Sequence, residues 1–146
     1  MSNYIDEAQV EIVTVDYFRE LGYEYVHGPE IAPDGERPER ADYGQVVLIG
    51  RLRDALVRIN PNVPAEAVEE TIRKITRPES PSLIVNNRAF HRLLTDGVDV
   101  SWRENLPDRQ AGGQERHGKV WLIERDPTKM DYNEFLVVNQ FTVIED

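Results

Sequence analysis

At 146 residues the chain is the size of one ordinary domain, long enough to bury roughly two thirds of the surface that its unfolded form exposes. Its 40% hydrophobic and 30% charged residues are normal for a globular protein and exclude a disordered or fibrous architecture. The absence of cysteine removes disulfides, thiolate catalysis and cysteine-based zinc sites. No apolar run approaches the roughly 18 residues of a membrane span, and the opening Met1-Ser2-Asn3-Tyr4 lacks the basic-then-apolar order of a secretion signal, so a cytoplasmic protein without membrane contact is expected. The net charge of −10 is unevenly spread: 11 acidic residues stand against 3 arginines up to Gly44, 10 against 11 from Gln45 to Gly118, and 6 against 3 thereafter. An acidic first segment repels phosphate backbones, so this piece alone is not expected to bind DNA tightly through charge.

Ile5, Ala8, Ile12, Val15 and Phe18 recur at helical spacing, which predicts a first helix over Tyr4 to Leu21, capped by Ser2 or Asn3 and ended by Gly22. Tyr23 to Val26 is a short strand candidate, and Gly28-Pro29 and Pro33-Asp34-Gly35 open a charged loop to about Asp42. Val47, Leu48, Leu52, Ala55, Leu56 and Ile59 form an apolar stripe that predicts a second helix from Gly44 to Asn60, stopped by Asn60-Pro61. Asn62 can cap a third helix, Pro64 to Ile75. Ser80 and Pro81 open a fourth, which runs through Ala89, Phe90, Leu93 and Leu94 to Asp96-Gly97.

Beyond Gly97 the period changes from 3.6 to 2. Val98 to Trp102, Lys119 to Glu124 and Phe135 to Ile144 read as three strands. The polar stretch from Glu104 to Gly118, with Gly112-Gly113, reads as a mobile loop. The expected fold is α/β, α+β-like in this chain: four helices, then a three-stranded, mainly antiparallel meander with helices on one face. The last strand is the most apolar segment and suits burial between neighbours, which suggests a single domain that continues beyond these residues.

Several segments together resemble the N-terminal domain of the R subunits of type I restriction enzymes. They are Glu7-xxx-Glu11 before Leu21-Gly22-Tyr23, then Leu52 to Pro61, then Asn87-Arg88-Ala89-Phe90-His91-Arg92-Leu93-Leu94 with Gly97-Val98-Asp99-Val100, and finally Asn133 to Val143, which holds Phe-Leu-Val-Val-Asn-Gln-Phe-Thr. The resemblance implies the front part of a restriction-endonuclease-like nuclease domain that cuts DNA with Mg²⁺. In the full-length family protein that domain is coupled to an ATP-driven translocase and assembles with methylase and specificity subunits. The family's catalytic Asp, its (D/E)xK pair and its ATP-binding motifs fall after the Asn-Gln-Phe-Thr strand, so they have no positions here, and neither nuclease activity nor a bound cofactor is expected of this chain alone. Where the family tends to have Asp-Phe, the chain has Glu124-Arg125-Asp126.

What the resemblance leaves within the chain is a helix-borne acid that helps to hold the metal, Glu11 or Glu7. The pair is four residues apart and shares one helical face. The plainer alternative is that both are solvated acids near a helix N-terminus, where the dipole favours them. Arg51, Arg53, Arg58, Arg88 and Arg92 are candidate DNA contacts, against the more ordinary reading of a solvated face paired with Asp54, Glu69 and Glu70. His27, His91 and His117 are isolated in sequence and suggest surface positions rather than ligands. Trp102 and Trp121 suggest packing rather than base stacking. Two other readings stand beside the nuclease: a non-catalytic module docking on restriction-modification subunits, and a complete small enzyme, which no convergent catalytic set supports.

Overall fold

A computed structural model describes residues 6–77, 79–104 and 113–144. The expected caps Ser2 and Asn3 and most of the expected mobile loop lie outside the described residues. The architecture is mixed α/β, as the sequence implies, and the chain divides into two compact units, residues 1–48 with 134–146 and residues 49–133.

In the first unit, helix α1 (Glu7–Glu20) starts on Asp6, whose carboxylate accepts the Gln9 N–H at 2.8 Å. It ends where Gly22 takes φ +91°, a conformation open to glycine without a side-chain clash. Strand β1 (Glu24–His27) follows and passes into a 3-10 turn at Gly28–Ile31. The buried apolar side chains here are Val26, Ile31 and Ala32, and a ladder of rings, Phe18 on Tyr23 on Phe135, has centroids 5.0 and 5.5 Å apart. Residues expected to begin a helix at Gly44 instead form a turn around Gln45. Its N–H bonds to Asp42, its side chain bridges the Ala41 N–H and the Val47 carbonyl, and its own carbonyl accepts from Arg40. These side-chain bonds divert the backbone from the helical pattern.

The second unit carries helices α2 (Ile49–Ile59), α3 (Ala65–Thr76) and α4 (Leu83–Asp96) and the hairpin β2 (Val98–Glu104) and β3 (Gln114–Val120). Leu56, Ala67, Val68, Ile72, Val98, Val100 and Val120 form its core, flanked by Ile49, Leu52, Leu93 and Trp102. Truncating Leu56, which is fully buried, costs about 2–5 kcal/mol by the usual cavity argument. The α4 helix closes on Gly97, φ +75°, whose N–H reaches the Leu93 carbonyl. On the outer face of the hairpin the register opposes Asp99 to Lys119, Ser101 to His117 and Arg103 to Glu115. Complementary pairs of this kind let a polar run such as Gln114–Lys119 form a strand.

Two expectations about the strands are corrected. Among the described residues there is no three-stranded meander. The last strand, β4 (Leu136–Asn139), pairs in parallel with β1, Glu24 opposite Leu136 and His27 opposite Asn139, while β2 and β3 form a separate antiparallel pair. The expected strand Lys119–Glu124 stops at Val120 because the next backbone groups are taken by asparagine side chains rather than by a ladder. Asn60 bonds both the N–H and the C=O of Trp121, at 2.8 Å each, and Asn133 does the same for Glu124, at 2.9 and 2.8 Å. Asn86 holds Ser80 in the same way and so sets the start of α4. The expected strand to Ile144 likewise ends at Asn139, since Gln140 turns to φ +48°, a left-handed conformation uncommon outside glycine.

Candidate functional site

Among the described residues of the first unit, a set of side-chain hydrogen bonds between distant elements centres on Asn139, the last residue of β4. In a parallel pair, residues opposite each other share a face, so Tyr25 and His27 of β1 lie on the same face as Val137 and Asn139. The carboxylate of Glu11, on the second turn of α1, meets this face. The Asn139 amide donates a short hydrogen bond from Nδ2 to Glu11 Oε1, and Gln140 Nε2 stands 3.4 Å from each Glu11 oxygen. On its other side, Asn139 Oδ1 accepts from the Tyr25 hydroxyl at 3.1 Å and lies 3.0 Å from His27 Nδ1.

The chemistry fixes the orientation of this amide. A carboxylate only accepts, so the NH₂ end of Asn139 must face Glu11, and its oxygen must face Tyr25 and His27. Backbone packing holds it there: a Cβ added at Gly28 would stand 2.3 Å from the Asn139 carbonyl oxygen and 2.7 Å from that of Gln140, so the residue after His27 has to be glycine. Glu11 is half-buried with amide donors on its oxygens, whereas Glu7 is exposed in the first turn of α1.

Arg40 braces the same unit. It is 4% exposed and donates from Nε to the Gln45 carbonyl and from Nη2 to the carbonyls of Tyr43 and Thr142, at 2.8–2.9 Å. Its guanidinium carbon lies 3.9 Å from the centroid of the Phe141 ring. The loop through Asp42 and the chain just past β4 are thereby fastened together. Tyr43 in turn donates to Asp34 at 2.5 Å, and this bond raises its phenol pKa.

The candidate basic residues are divided between α2, with Arg51, Arg53 and Arg58, and α4, with Arg88 and Arg92. Arg53 is engaged by Glu69 through two bonds, at 2.5 and 3.1 Å, which raises the Arg53 pKa and lowers that of Glu69. Arg58 Nε donates to the Tyr132 carbonyl at 3.3 Å, and Arg51 is half-buried on α2. Arg88 and Arg92 are exposed on α4 beside His91. Arg125, in the segment that departs from the family pattern, caps α4 by donating to the carbonyls of Leu94 and Thr95. A cleft of about 450 Å³ in the second unit is lined by Lys74, Asp99, Ser101, His117 and Lys119. Lys119 pairs there with Asp99 at 3.1 Å and Lys74 binds the Asp99 carbonyl. No candidate site residue from the sequence lies in it.

Of the residues in the Asn139 cluster, the sequence marks Glu11 as a candidate ligand and His27 as a surface position, whereas His27 is half-buried and bonded to Asn139. Asn139 and Gln140 were quoted only as part of a family motif. Two amides ending the most apolar strand of the chain were the signal that could have marked them.

Fold and cluster together define a mixed α/β protein that sets one helix-borne carboxylate against the face of a parallel strand pair. Residues 4–146 match the family described as the type I restriction enzyme R protein N terminus, and the chain belongs to that family. It is 29% identical over 139 residues to the type I restriction enzyme HindI endonuclease subunit of Haemophilus influenzae, an alignment covering 95% of this chain and 12% of that protein. It is 31% identical over 134 residues to a protein of Methanocaldococcus jannaschii, provisionally named the type I restriction enzyme MjaIXP endonuclease subunit, with 92% and 12% covered. The chain therefore spans about an eighth of the length of these relatives. No solved structure matches it.

Proposed function

We propose that this chain is the front part of the nuclease domain of a type I restriction enzyme R subunit, a cytoplasmic protein that cuts DNA with Mg²⁺. In this reading the domain is joined, in a longer protein, to an ATP-driven translocase and assembles with methylase and specificity subunits. The observation that carries the reading is Glu11: a half-buried carboxylate, oriented by side-chain amides of the family's Asn-Gln-Phe-Thr segment, 128 residues away. A hard cation takes several oxygen ligands, and Glu11 suits one of them.

Among the described residues no three acidic or imidazole groups gather to hold a metal. The reading therefore assigns Glu11 a single ligand position and places the remaining acids and the lysine in the part of the protein that follows this segment. Bound there, Mg²⁺ supplies activation of water and stabilisation of the leaving oxygen. Arg88 and Arg92, exposed on α4, are candidate phosphate contacts. Arg53, held by Glu69, is the weaker candidate.

A second reading, a non-catalytic module docking on the methylase or specificity subunits, is favoured by α1. That helix has no fully buried residue and exposes Ile12, Val13 and Tyr17 at 60–69%.

The purified chain separates the nuclease reading from a complete small enzyme. It is expected neither to cut DNA with Mg²⁺ nor to hydrolyse ATP, and a robust metal-dependent cleavage that follows the chain through purification overturns this. Reading the native gene past Asp146 separates the first two readings: a (D/E)xK strand followed by motor motifs supports the nuclease, and a stop codon supports the module.

A further inference from the structure

Asn139 sits between two groups that need opposite things of it. Glu11 requires a donor, and the Tyr25 hydroxyl and His27 Nδ1 both stand within bonding distance of its oxygen. Because the amide oxygen can only accept, His27 must present Nδ1 as N–H to make its 3.0 Å bond. In a neutral imidazole the proton then resides on Nδ1, and the ring's lone pair is on Nε2. No other common side chain of this size does both tasks. Aspartate would set a second carboxylate against Glu11, and leucine, similar in shape, would leave both sides unbonded.

The backbone leaves Asn139 little freedom to do otherwise. It is in register with His27 in the parallel pair, and its carbonyl is pressed against Gly28. The following residue is turned into the left-handed region, which directs the Gln140 side chain to the same carboxylate. A non-glycine residue held at positive φ is a form of strain that concentrates at functional positions.

We propose that Asn139 is the positioning residue of the Glu11 site: one end of its amide fixes the carboxylate, and the other locks His27 as the Nδ1–H tautomer, so that the Nε2 lone pair is the atom His27 offers to a ligand or a proton. The tautomer follows from the hydrogen bonds alone, whereas the positioning role rests on the reading of Glu11 as a metal ligand.

Two-bond proton–nitrogen correlation spectra of the ¹⁵N-labelled chain, recorded where the imidazoles are neutral, read the tautomers directly. His91, exposed on α4, serves as the unconstrained reference in the same spectrum. His27 is expected as the Nδ1–H form. Asn139→Leu is expected to shift its tautomer ratio about three- to tenfold toward that of His91, the effect of one net hydrogen bond, and Tyr25→Phe is expected to leave it in place. A wild-type His27 with the tautomer ratio of His91 overturns the proposal, and so does an Asn139→Leu variant with an unchanged ratio. If Asn139→Leu does not fold, the wild type and Tyr25→Phe decide the matter. Failure of the nuclease reading is separate: it appears as full DNA cleavage by an assembled enzyme carrying Glu11→Gln, a result that leaves the His27 spectrum as it is.

Discussion

The side-chain amide of Asn60 closes a two-point clasp on Trp121, donating to its carbonyl and accepting from its N–H at 2.8 Å each, while also donating to the Leu56 carbonyl at 2.9 Å. Asn60 is 6% exposed, so its removal takes the partner from the N–H and the C=O of Trp121, while the Leu56 carbonyl keeps the Asn60 backbone N–H at 3.0 Å. Asn60→Ala is expected to destabilise the chain by about 2 kcal/mol, each lost partner of a buried polar group costing roughly 1–3 kcal/mol. Asn60→Asp should be no better at neutral pH, since it sets a carboxylate against two carbonyls. Urea denaturation of the two variants checks this, and wild-type midpoints would show that the clasp is dispensable.

Arg40 holds three carbonyls from two segments while stacking on Phe141. Lysine keeps the charge but loses the planar fork and the stacking. Arg40→Lys is therefore expected to lose about 2 kcal/mol or more, on the scale of hydrogen bonds to a charged donor. Hydrogen exchange should localise the loss to the first unit and leave amides of α3 protected. Equal loss of protection in both units would contradict this assignment.

Gly118 lies under the indole of Trp102, where an added Cβ would come within 2.7 Å of a ring carbon. Gly118→Ala is expected to push the indole off the strand and cost about 1–3 kcal/mol, as overpacking does. Because Trp121 also emits, the fluorescence of Trp102 is read in a Trp121→Phe background, where an unchanged spectrum with unchanged stability would refute the contact.

The Arg53–Glu69 pair gives a pH dependence of defined sign. The hydrogen bond from Arg53 lowers the Glu69 pKa in the folded protein, so its contribution is present in full above the ordinary glutamate value of about 4.3. That contribution disappears as pH falls through the lowered folded value. The stability difference between wild type and Glu69→Gln is thus expected to be constant near pH 7, to shrink below about pH 4 and to vanish in stronger acid. It is small throughout, because both side chains are more than two-fifths exposed. A difference that persists unchanged to the acid end would mean that the pair is not its source.

Local signals in the sequence sufficed wherever local bonds decide the structure. Gly22 and Gly97 end α1 and α4 as their position suggests, and Leu56 and Ile59 of the α2 stripe are buried. What escaped the sequence was non-local. The apolar run Trp121 to Ile123 looks like strand, but Asn60, 61 residues before Trp121, and Asn133, nine residues after Glu124, satisfy the backbone at its two ends. β4 is legible as a strand, whereas its parallel partner, 112 residues earlier, leaves no mark on its periodicity. Glu11 was legible as an acid on a helix, while Asn139 and His27 acquire meaning only when the parallel pairing sets them side by side.

Glu11 is proposed to serve DNA cleavage and not folding or translocation. The most direct measurement places this chain at the front of a complete type I R subunit, assembled with its methylase and specificity subunits, and compares Glu11→Gln with wild type in Mg²⁺-dependent cleavage and ATP-driven translocation. Cleavage is expected to fall at least about a hundredfold, the scale of losing a group that acts in the transition state, with translocation intact. Cleavage at the wild-type rate, or loss of both activities together, would contradict it.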